Sequence, residues 1–369
     1  MDPGVAFFTR LRRLHDTMNH AHLRILDAAL NRSSEGLRVV EDFARFVLDD
    51  PFLTGQTKQL RHDLAAAARA IPCGDRHATR DTMADVGTRI STVAEGQRGD
   101  AWDVCAASLK RTEQALRSLE EYGKLVDADF ATRCEAIRYR LYTLEKALDI
   151  GRTSRKRLAD ATLCVLIDAG DNATNFEQLV RTLVAAEVGM IQLRAKLLDD
   201  RDLVARARQL RDLTRGTSSL AIINDRADVA AIVAADGVHL GQEDLSVKDA
   251  RAILGPRPLI GVSTHNIAQA RQAVVDGANY LGAGPTFPSQ TKAFDNFAGL
   301  DYLRSVAAEI RLPTYAIGGI TADNLPEVLA AGTTRIAVSS AITAASDPAL
   351  AARNLLVMLE NAAVEVTPR

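Results

Sequence analysis

Two patterns of hydrophobic spacing divide this chain. Up to residue 155 the apolar positions recur mostly at helical intervals. Between residues 25 and 48, Leu30, Leu37, Val40, Ala44 and Val47 follow a 3.6-residue period, while Glu35, Arg38, Asp42 and Arg45 mark a separate charged face. Residues 103–124 and 131–148 predict two further helices. Gly123 sits near the end of the first, where a left-handed cap is expected. Residues 71–100 are richer in Gly, Asp and Thr and predict a loop. The polar, basic stretch GRTSRKRLAD (151–160) reads as a linker.

Beyond it, short apolar runs alternate with amphipathic patterns. Candidate strands cover 163–167, 189–194, 220–224, 237–240, 259–263, 279–282, 314–317 and 335–339. Eight strands alternating with helices in roughly 200 residues predict an α/β fold, a closed (β/α)8 barrel at the small end of its size range. The rival is an open doubly wound sheet, but the turn DAGDNAT after Ile167 lacks its G-x-G-x-x-G signature. The expected organisation is an α-helical N-terminal domain, 1–155, followed by a barrel domain, 156–369.

Composition narrows the classes of function. The 369 residues are 47% hydrophobic and 25% charged, a globular balance large enough for two domains. Lys+Arg 45 against Asp+Glu 47 leaves a net charge of -2, which excludes a broad basic surface for nucleic acid. Aromatic residues at 5% argue against base-stacking platforms. Cys73, Cys105, Cys134 and Cys164 form no C-x-x-C pair, so a zinc ribbon or thioredoxin motif is excluded and a disulfide framework is not expected. No uncharged apolar run reaches the ~18 residues of a membrane span. The opening MDPGVAFFTRLRRLH lacks the apolar core of a signal peptide. The expectation is a soluble cytoplasmic protein.

In a barrel of this kind, chemistry takes place where the strands end. The second candidate strand ends in Gln192-Leu193-Arg194-Ala195-Lys196, whose alternation lets Gln192, Arg194 and Lys196 face one side. The third ends in Asn224-Asp225-Arg226. The fourth runs through His239 and Gln242 to Glu243-Asp244, and the fifth ends in Ser263-Thr264-His265. After the sixth come Ser289, Gln290, Thr291 and Lys292, after the seventh Gly318-Gly319, and after the eighth Ser339-Ser340. Arg194, Lys196 and Lys292 bring positive charge. Asp225 and Asp244 offer hard oxygen ligands that suit Mg2+. The last two turns occupy the usual phosphate position of the architecture. Lys and Mg2+ together suit a departing pyrophosphate, because they neutralise charge that grows as a C–O bond breaks.

Each feature alone has a plainer reading. Asp225 and Asp244 suit helix N-caps, and glycine punctuates most strand-to-helix turns. His239 and His265 read as polar rim groups, not metal ligands, and Ser263 lacks the context of a covalent nucleophile. The functional reading rests on their co-occurrence at the ends of successive strands.

The motifs QLRAK (192–196), INDRADVA (223–230), DGVHLGQEDL (236–245), GVSTH (261–265), LGAGPTFPSQTK (281–292), AIGGI (316–320) and VSSAI (338–342) make residues 163–361 resemble the thiamine phosphate synthases. The resemblance implies a Mg2+-dependent transferase joining a hydroxymethylpyrimidine diphosphate to a thiazole phosphate, or its 2-carboxy form, with release of pyrophosphate through a carbocation-like step. It implies that Gln192, Leu193, Arg194, Ala195, Lys196, Asn224, Ser263 and Lys292 hold the pyrimidine diphosphate. Lys196, Lys292 and Ser263 would be catalytic, and Asp225 and Asp244 would hold one Mg2+. Ser289, Gln290, Thr291, Gly319, Ser339 and Ser340 would hold the thiazole phosphate. Ser289 stands where many relatives carry Thr, and a hydroxyl is kept.

The first half is similar to a helical domain fused to some of these synthases, on LNRSSEGLRVVEDFARF (30–46), RDTMADVGT (80–88) and LKRTEQALRSLEEYGK (109–124). That resemblance implies phosphorylation of hydroxymethylpyrimidine phosphate, with ATP as a candidate cofactor, although no P-loop is present. The candidates are Asn31, Arg32, Glu35, Arg38, Glu41, Asp42, Arg80, Asp81, Asp85, Arg111 and Glu121. The alternative is an ion-paired helical face, with Glu35–Arg38 and Asp42–Arg45 as i,i+3 pairs. Partners are expected to be small phosphorylated substrates, with no nucleic acid and no membrane, and assembly into a homo-oligomer is left open. Rival readings are a thiazole tautomerase on the same barrel, or a non-catalytic phosphate-ligand sensor or dimerising scaffold.

Overall fold

The computed structural model describes residues 3–71, 73–81, 83, 97–170, 172–288 and 297–366. Contacts divide the chain into two units, Met1–Leu148 and Asp149–Arg369.

The first unit is helical: α1 (Pro3–Asp42), α2 (Pro51–Ala67), α3 (Cys73–Ala78), α4 (Ala101–Gly123) and the larger part of α5 (Ala128–Arg157), whose last residues belong to the second unit. Asp50 and Asp100 cap α2 and α4, accepting from Leu53 N at 2.9 Å and Asp103 N at 2.8 Å. The expected apolar stripe is the core face of α1, with Leu30, Leu37, Val40 and Ala44 buried. Val47 is a correction: it is exposed. Residues Phe43–Val47 form a π-helical turn, and the wider turn rotates Val47 off the stripe. Gly123 is a second correction. It is the last residue of α4, followed by the right-handed Lys124, and a Cβ on it would strike the Phe130 ring. Close packing, not a left-handed cap, requires glycine there.

The expected linker is helical through Arg157, because α5 continues to that residue. Part of the expected loop, residues 73–78, is the short helix α3, and most of 82–96 lies outside the described residues. Helix α2 had no counterpart in the sequence reading.

The second unit alternates β1 (Leu163–Ile167), α6 (Ala173–Ala185), β2 (Met190–Leu193), α7 (Asp200–Thr214), β3 (Leu220–Asn224), α8 (Ala227–Val233), β4 (Gly237–Leu240) and α9 (Val247–Leu254). It continues with β5 (Leu259–Thr264), α10 (Ile267–Asp276), β6 (Tyr280–Ala283), α11 (Gly299–Glu309), β7 (Thr314–Ile317), α12 (Leu325–Ala330), β8 (Ile336–Val338), α13 (Ser340–Thr343) and α14 (Pro348–Val366). The eight strands pair in parallel in sequence order and β8 closes onto β1. Runs such as LCVLI and MIQL are apolar nearly throughout because both faces of a barrel strand are covered.

The barrel interior packs Cys164, Met190, Ile222, Leu259, Tyr280 and Tyr315, with Leu158 and Ala161 at its base. Tyr280 and Tyr315 meet edge to face, centroids 5.5 Å apart. Tyr280 fits because Gly261 opposite it has no side chain; a Cβ there would fall inside the phenol ring. Gly261→Ala is therefore expected to destabilise the barrel by about 1–3 kcal/mol, the usual range for an overpacked core. Denaturant unfolding of the full chain checks this; a midpoint equal to the parent's would contradict it.

Candidate active site

The C-terminal ends of the strands surround a cavity of 720 Å3. Gln192, Arg194 and Lys196 line it from the end of β2 and beyond, as their alternation required. Leu193 and Ala195, which the resemblance also places with the pyrimidine diphosphate, are not among the lining residues. Gln192 Nε2 donates to Asn224 Oδ1 at 2.7 Å, which fixes the amide at the end of β3.

Asp225 follows directly and takes a left-handed backbone, φ +61. Its N–H still donates to His239 O at 2.8 Å, and Arg226 N donates back to Asn224 O at 2.7 Å, so the chain turns sharply at the strand end. Asp tolerates this conformation better than most residues. The turn places the Asp225 carboxylate in the cavity, 3.5 Å from Lys196 Nζ.

Asp244 arrives from the turn after β4, where its Oδ2 accepts from Gly241 N at 2.6 Å. The N-cap reading fails for both acids, since the residues at the starts of α8 and α9 are Arg226 and Ser246. Burial, and next the neighbouring Asp244 carboxylate, push the Asp225 carboxyl above its usual range, against the opposing pull of Lys196. Lys196 is 55% exposed, so its attraction is weakened by water and does not cancel the repulsion.

His239 is buried on β4. Its Nε2 lies 2.9 Å from Ser263 Oγ and its Nδ1 3.3 Å from Tyr280 OH. Burial lowers its pKa to about 4, so the ring is neutral at pH 7 and one of its nitrogens carries the proton. Ser263 is thereby oriented by a column that runs from Tyr315 through Tyr280 and His239 to the cavity. Gln242 braces the same strand end, donating to Ser263 O at 2.6 Å.

On the other side of the cavity, Gly318 (φ +103) and Gly319 (φ +63) turn the chain after β7. Thr286 N donates to Ile317 O at 2.9 Å and Phe287 N to Gly318 O at 3.0 Å. A side chain at Gly319 would strike the Phe287 and Pro288 carbonyls, so glycine is required by both torsion and space. Ser339 and Ser340 line the cavity beside this turn, and Ser339 Oγ is anchored on Leu166 O at 2.9 Å.

The structure thus brings together Gln192, Arg194, Lys196, Asn224, Asp225, Asp244, Ser263, Gly319, Ser339 and Ser340. Ser289, Gln290, Thr291 and Lys292 lie outside the described residues, as does Asp85. Gln269 and Thr321 also line the cavity and were missed. Gln269 sits in the first turn of α10, where its Oε1 accepts from His265 N at 2.8 Å. A polar residue in a first helical turn gives no separate signal in sequence.

No group of three or more His, Cys, Asp or Glu side chains able to hold a metal gathers among the described residues. Two neighbouring carboxylates that repel each other nonetheless fit Mg2+, which takes one or two carboxylates and completes its shell with water and substrate oxygens.

In the helical unit the candidates separate. Arg32, Glu35 and Arg111 line a groove between α1 and α4. Asn31 instead donates to Asp27 at 3.4 Å, and Arg80 grips the same Asp27 with bonds of 2.8 and 2.9 Å. Arg38 pairs forward with Glu41 and Asp42, at 3.5 and 3.4 Å, and not back to Glu35, while Arg45 lies over the Phe46 ring. The expected i,i+3 pairs are therefore replaced. Glu41 also binds Arg61 at 2.8 Å, Glu121 binds Arg117 and Lys124, and Asp81 does not line the groove.

Residues 163–342 match the model of the thiamine monophosphate synthase family, and residues 24–147 match that of the ThiD2 family. The thiamine-phosphate synthase of Rhodopirellula baltica is 43% identical over 355 residues, covering 94% of this chain and 95% of its own. The chain belongs to the thiamine-phosphate synthase family. The protein of that name from Synechocystis is 42% identical, over 91% of this chain and 96% of its own. Both relatives span the helical unit as well as the barrel. Among solved structures, the thiamine phosphate pyrophosphorylase from Pyrococcus furiosus is 35% identical, covers 55% of this chain and 97% of its own, and has a TM-score of 0.49. Among the described residues, no helix is long and apolar enough to cross a membrane.

The repulsion between the two acids predicts a stability effect. Asp225→Asn keeps a residue tolerant of φ +61 and removes one charge. It is expected to raise the melting temperature of the metal-free chain, by about 2–4 °C per kcal/mol of repulsion relieved. With Mg2+ added, the parent is expected to melt higher still and the variant to show no such additional rise. Calorimetric melting with and without Mg2+ checks both; a lower metal-free melting point with an undiminished Mg2+ response would contradict the assignment.

Proposed function

We propose that the barrel joins an aminopyrimidine bearing a diphosphooxymethyl group to a phosphorylated thiazole, making thiamine phosphate and pyrophosphate at the cavity described above. One observation carries this reading: the cations Arg194 and Lys196 and the acids Asp225 and Asp244 share one cavity with the Gly318-Gly319 and Ser339-Ser340 turns. A cationic, metal-ready side and a backbone-rich side suit two phosphorylated ligands at once.

Asp225 and Asp244 would hold Mg2+, which supplies positive charge to the leaving diphosphate oxygens. Arg194 and Lys196 grip the same diphosphate, Arg194 through paired N–H donors and Lys196 as a point charge. Gln192 and Asn224, bonded to each other, present polar groups to the pyrimidine side. Ser263, held by His239, orients the ring.

The methylene–oxygen bond breaks and its electron pair leaves with pyrophosphate. The electron-rich aminopyrimidine stabilises the resulting cation. The thiazole nitrogen then donates its lone pair to the methylene carbon, and the positive charge ends on the thiazolium ring. No protein nucleophile takes part, so the protein's contribution is charge stabilisation and alignment of the two rings. The thiazole phosphate rests on the N–H groups and hydroxyls of the Gly318-Gly319 and Ser339-Ser340 turns.

For the helical unit we propose phosphorylation of hydroxymethylpyrimidine phosphate with ATP as donor, which would supply the barrel's substrate. The match of residues 24–147 to the ThiD2 family supports this reading.

Incubating the full chain with both phosphorylated rings and Mg2+ is expected to give thiamine phosphate and pyrophosphate in equal amounts. Arg194→Ala should lower kcat/KM by about 100-fold, the usual scale for removing one charge-stabilising donor. Failure to form thiamine phosphate from the two substrates, or a rate indifferent to Mg2+, would contradict the reading.

A further inference from the structure

A second groove lies within the helical unit, between α1 and α4. It measures 1050 Å3. Its floor is built from small residues because the two helices touch at Gly36, where a Cβ would land on the Thr112 hydroxyl. Ala28 and Ala115 continue that floor.

Arg24 and Arg32 stand over the floor from α1, and Arg111 from α4. All three are exposed. None has an ion pair among the described residues, whereas Arg38, Arg61, Arg80, Arg117, Arg138 and Arg140 of the same unit each hold a carboxylate. Glu35 is the one acid among the described lining residues. Three guanidiniums and one carboxylate along the described lining leave excess positive charge in a concave site. Planar guanidinium forks match the oxygens of a phosphate.

Spacing and shape narrow the ligand. Arg24 and Arg32 are eight residues apart, about 12 Å along the helix axis. That span exceeds a single inorganic phosphate and suits an extended ligand or two ligands end to end. A small-residue apolar floor accepts a flat ring, and Gln114 offers hydrogen bonds at the groove wall. The charge is local, on a chain of net charge -2, which favours a small anion over a nucleic acid.

We propose that the α1/α4 groove is a binding site for a phosphorylated heteroaromatic molecule, held by Arg24, Arg32 and Arg111. The choice of probes rests on the kinase reading of this unit. They are ADP, for the phosphoryl donor, and hydroxymethylpyrimidine phosphate, for the acceptor.

Calorimetric titration of the full chain with each probe tests the site. Arg32→Gln and Arg111→Gln are expected to weaken at least one probe tenfold or more. Arg133→Gln, at an exposed pair on α5, should change neither. Circular dichroism and an unchanged barrel condensation rate confirm that the variants fold. The probe that weakens names the occupant; two probes bound by the groove variants as tightly as by the parent would overturn the site, as would a parent that binds neither. ATP-dependent phosphorylation of hydroxymethylpyrimidine phosphate is measured on the same proteins. Groove-dependent binding without phosphoryl transfer in the parent leaves the site standing and removes the kinase reading. Phosphoryl transfer that survives both substitutions removes the site and leaves the kinase reading standing.

Discussion

Two carboxylates that repel each other line this barrel's mouth. Asp225 and Asp244 come from successive strand ends, and each is held by backbone geometry. Asp225 is fixed by a left-handed turn, and Asp244 by the Gly241 N–H. Neither caps a helix: Arg226 and Ser246 stand at those positions instead. A fold keeps such a pair at a cost, and backbone strain beside it points the same way. Lys196 offsets part of the repulsion, but an exposed ammonium is too well solvated to neutralise two acids. A divalent cation held by the two acids would do so directly, and a bound diphosphate would complete the balance of charge.

The rest of the barrel holds that arrangement still. Interior tyrosines fill the lower barrel, and the absence of a side chain at Gly261 admits Tyr280. Tyr280 meets His239, whose neutral ring meets Ser263 at the cavity wall. Packing at the base therefore sets the direction of a polar group at the mouth. Opposite, the Gly318-Gly319 turn is clasped by the segment following β6, which leaves its backbone close to the cavity without side chains in the way. One side of the site works through charge and the other through backbone.

Much of this was legible in the sequence because barrel strands are buried on both faces and end in short turns. The eight candidate strands match the observed ones to within a residue or two, since runs such as LAIIN and LIGVST leave little freedom. The alternation at 192–196 correctly sorted Gln192, Arg194 and Lys196 from Leu193 and Ala195 once the strand's direction was known. Long-range packing was not legible. Val47 left its stripe because of a π turn, and Gly123 answers to Phe130 rather than to its own torsion. The helical unit was hardest, because one helix carries polar groups of different allegiance on adjacent faces. Asn31 and Arg80 join Asp27, Arg38 joins Glu41 and Asp42, and Arg32 and Glu35 face the groove. Sequence spacing alone does not say which of these faces meets a neighbour.

The claim on which the account turns is that Asp225 and Asp244 share one cation with a diphosphate. Anomalous diffraction from crystals of the full chain grown with Mn2+ and pyrophosphate measures this directly. The account predicts one anomalous peak in the barrel mouth within coordination distance of both carboxylates and of pyrophosphate oxygens. Pyrophosphate bound at the mouth with no peak at these two residues, or a peak held by other groups, would contradict it.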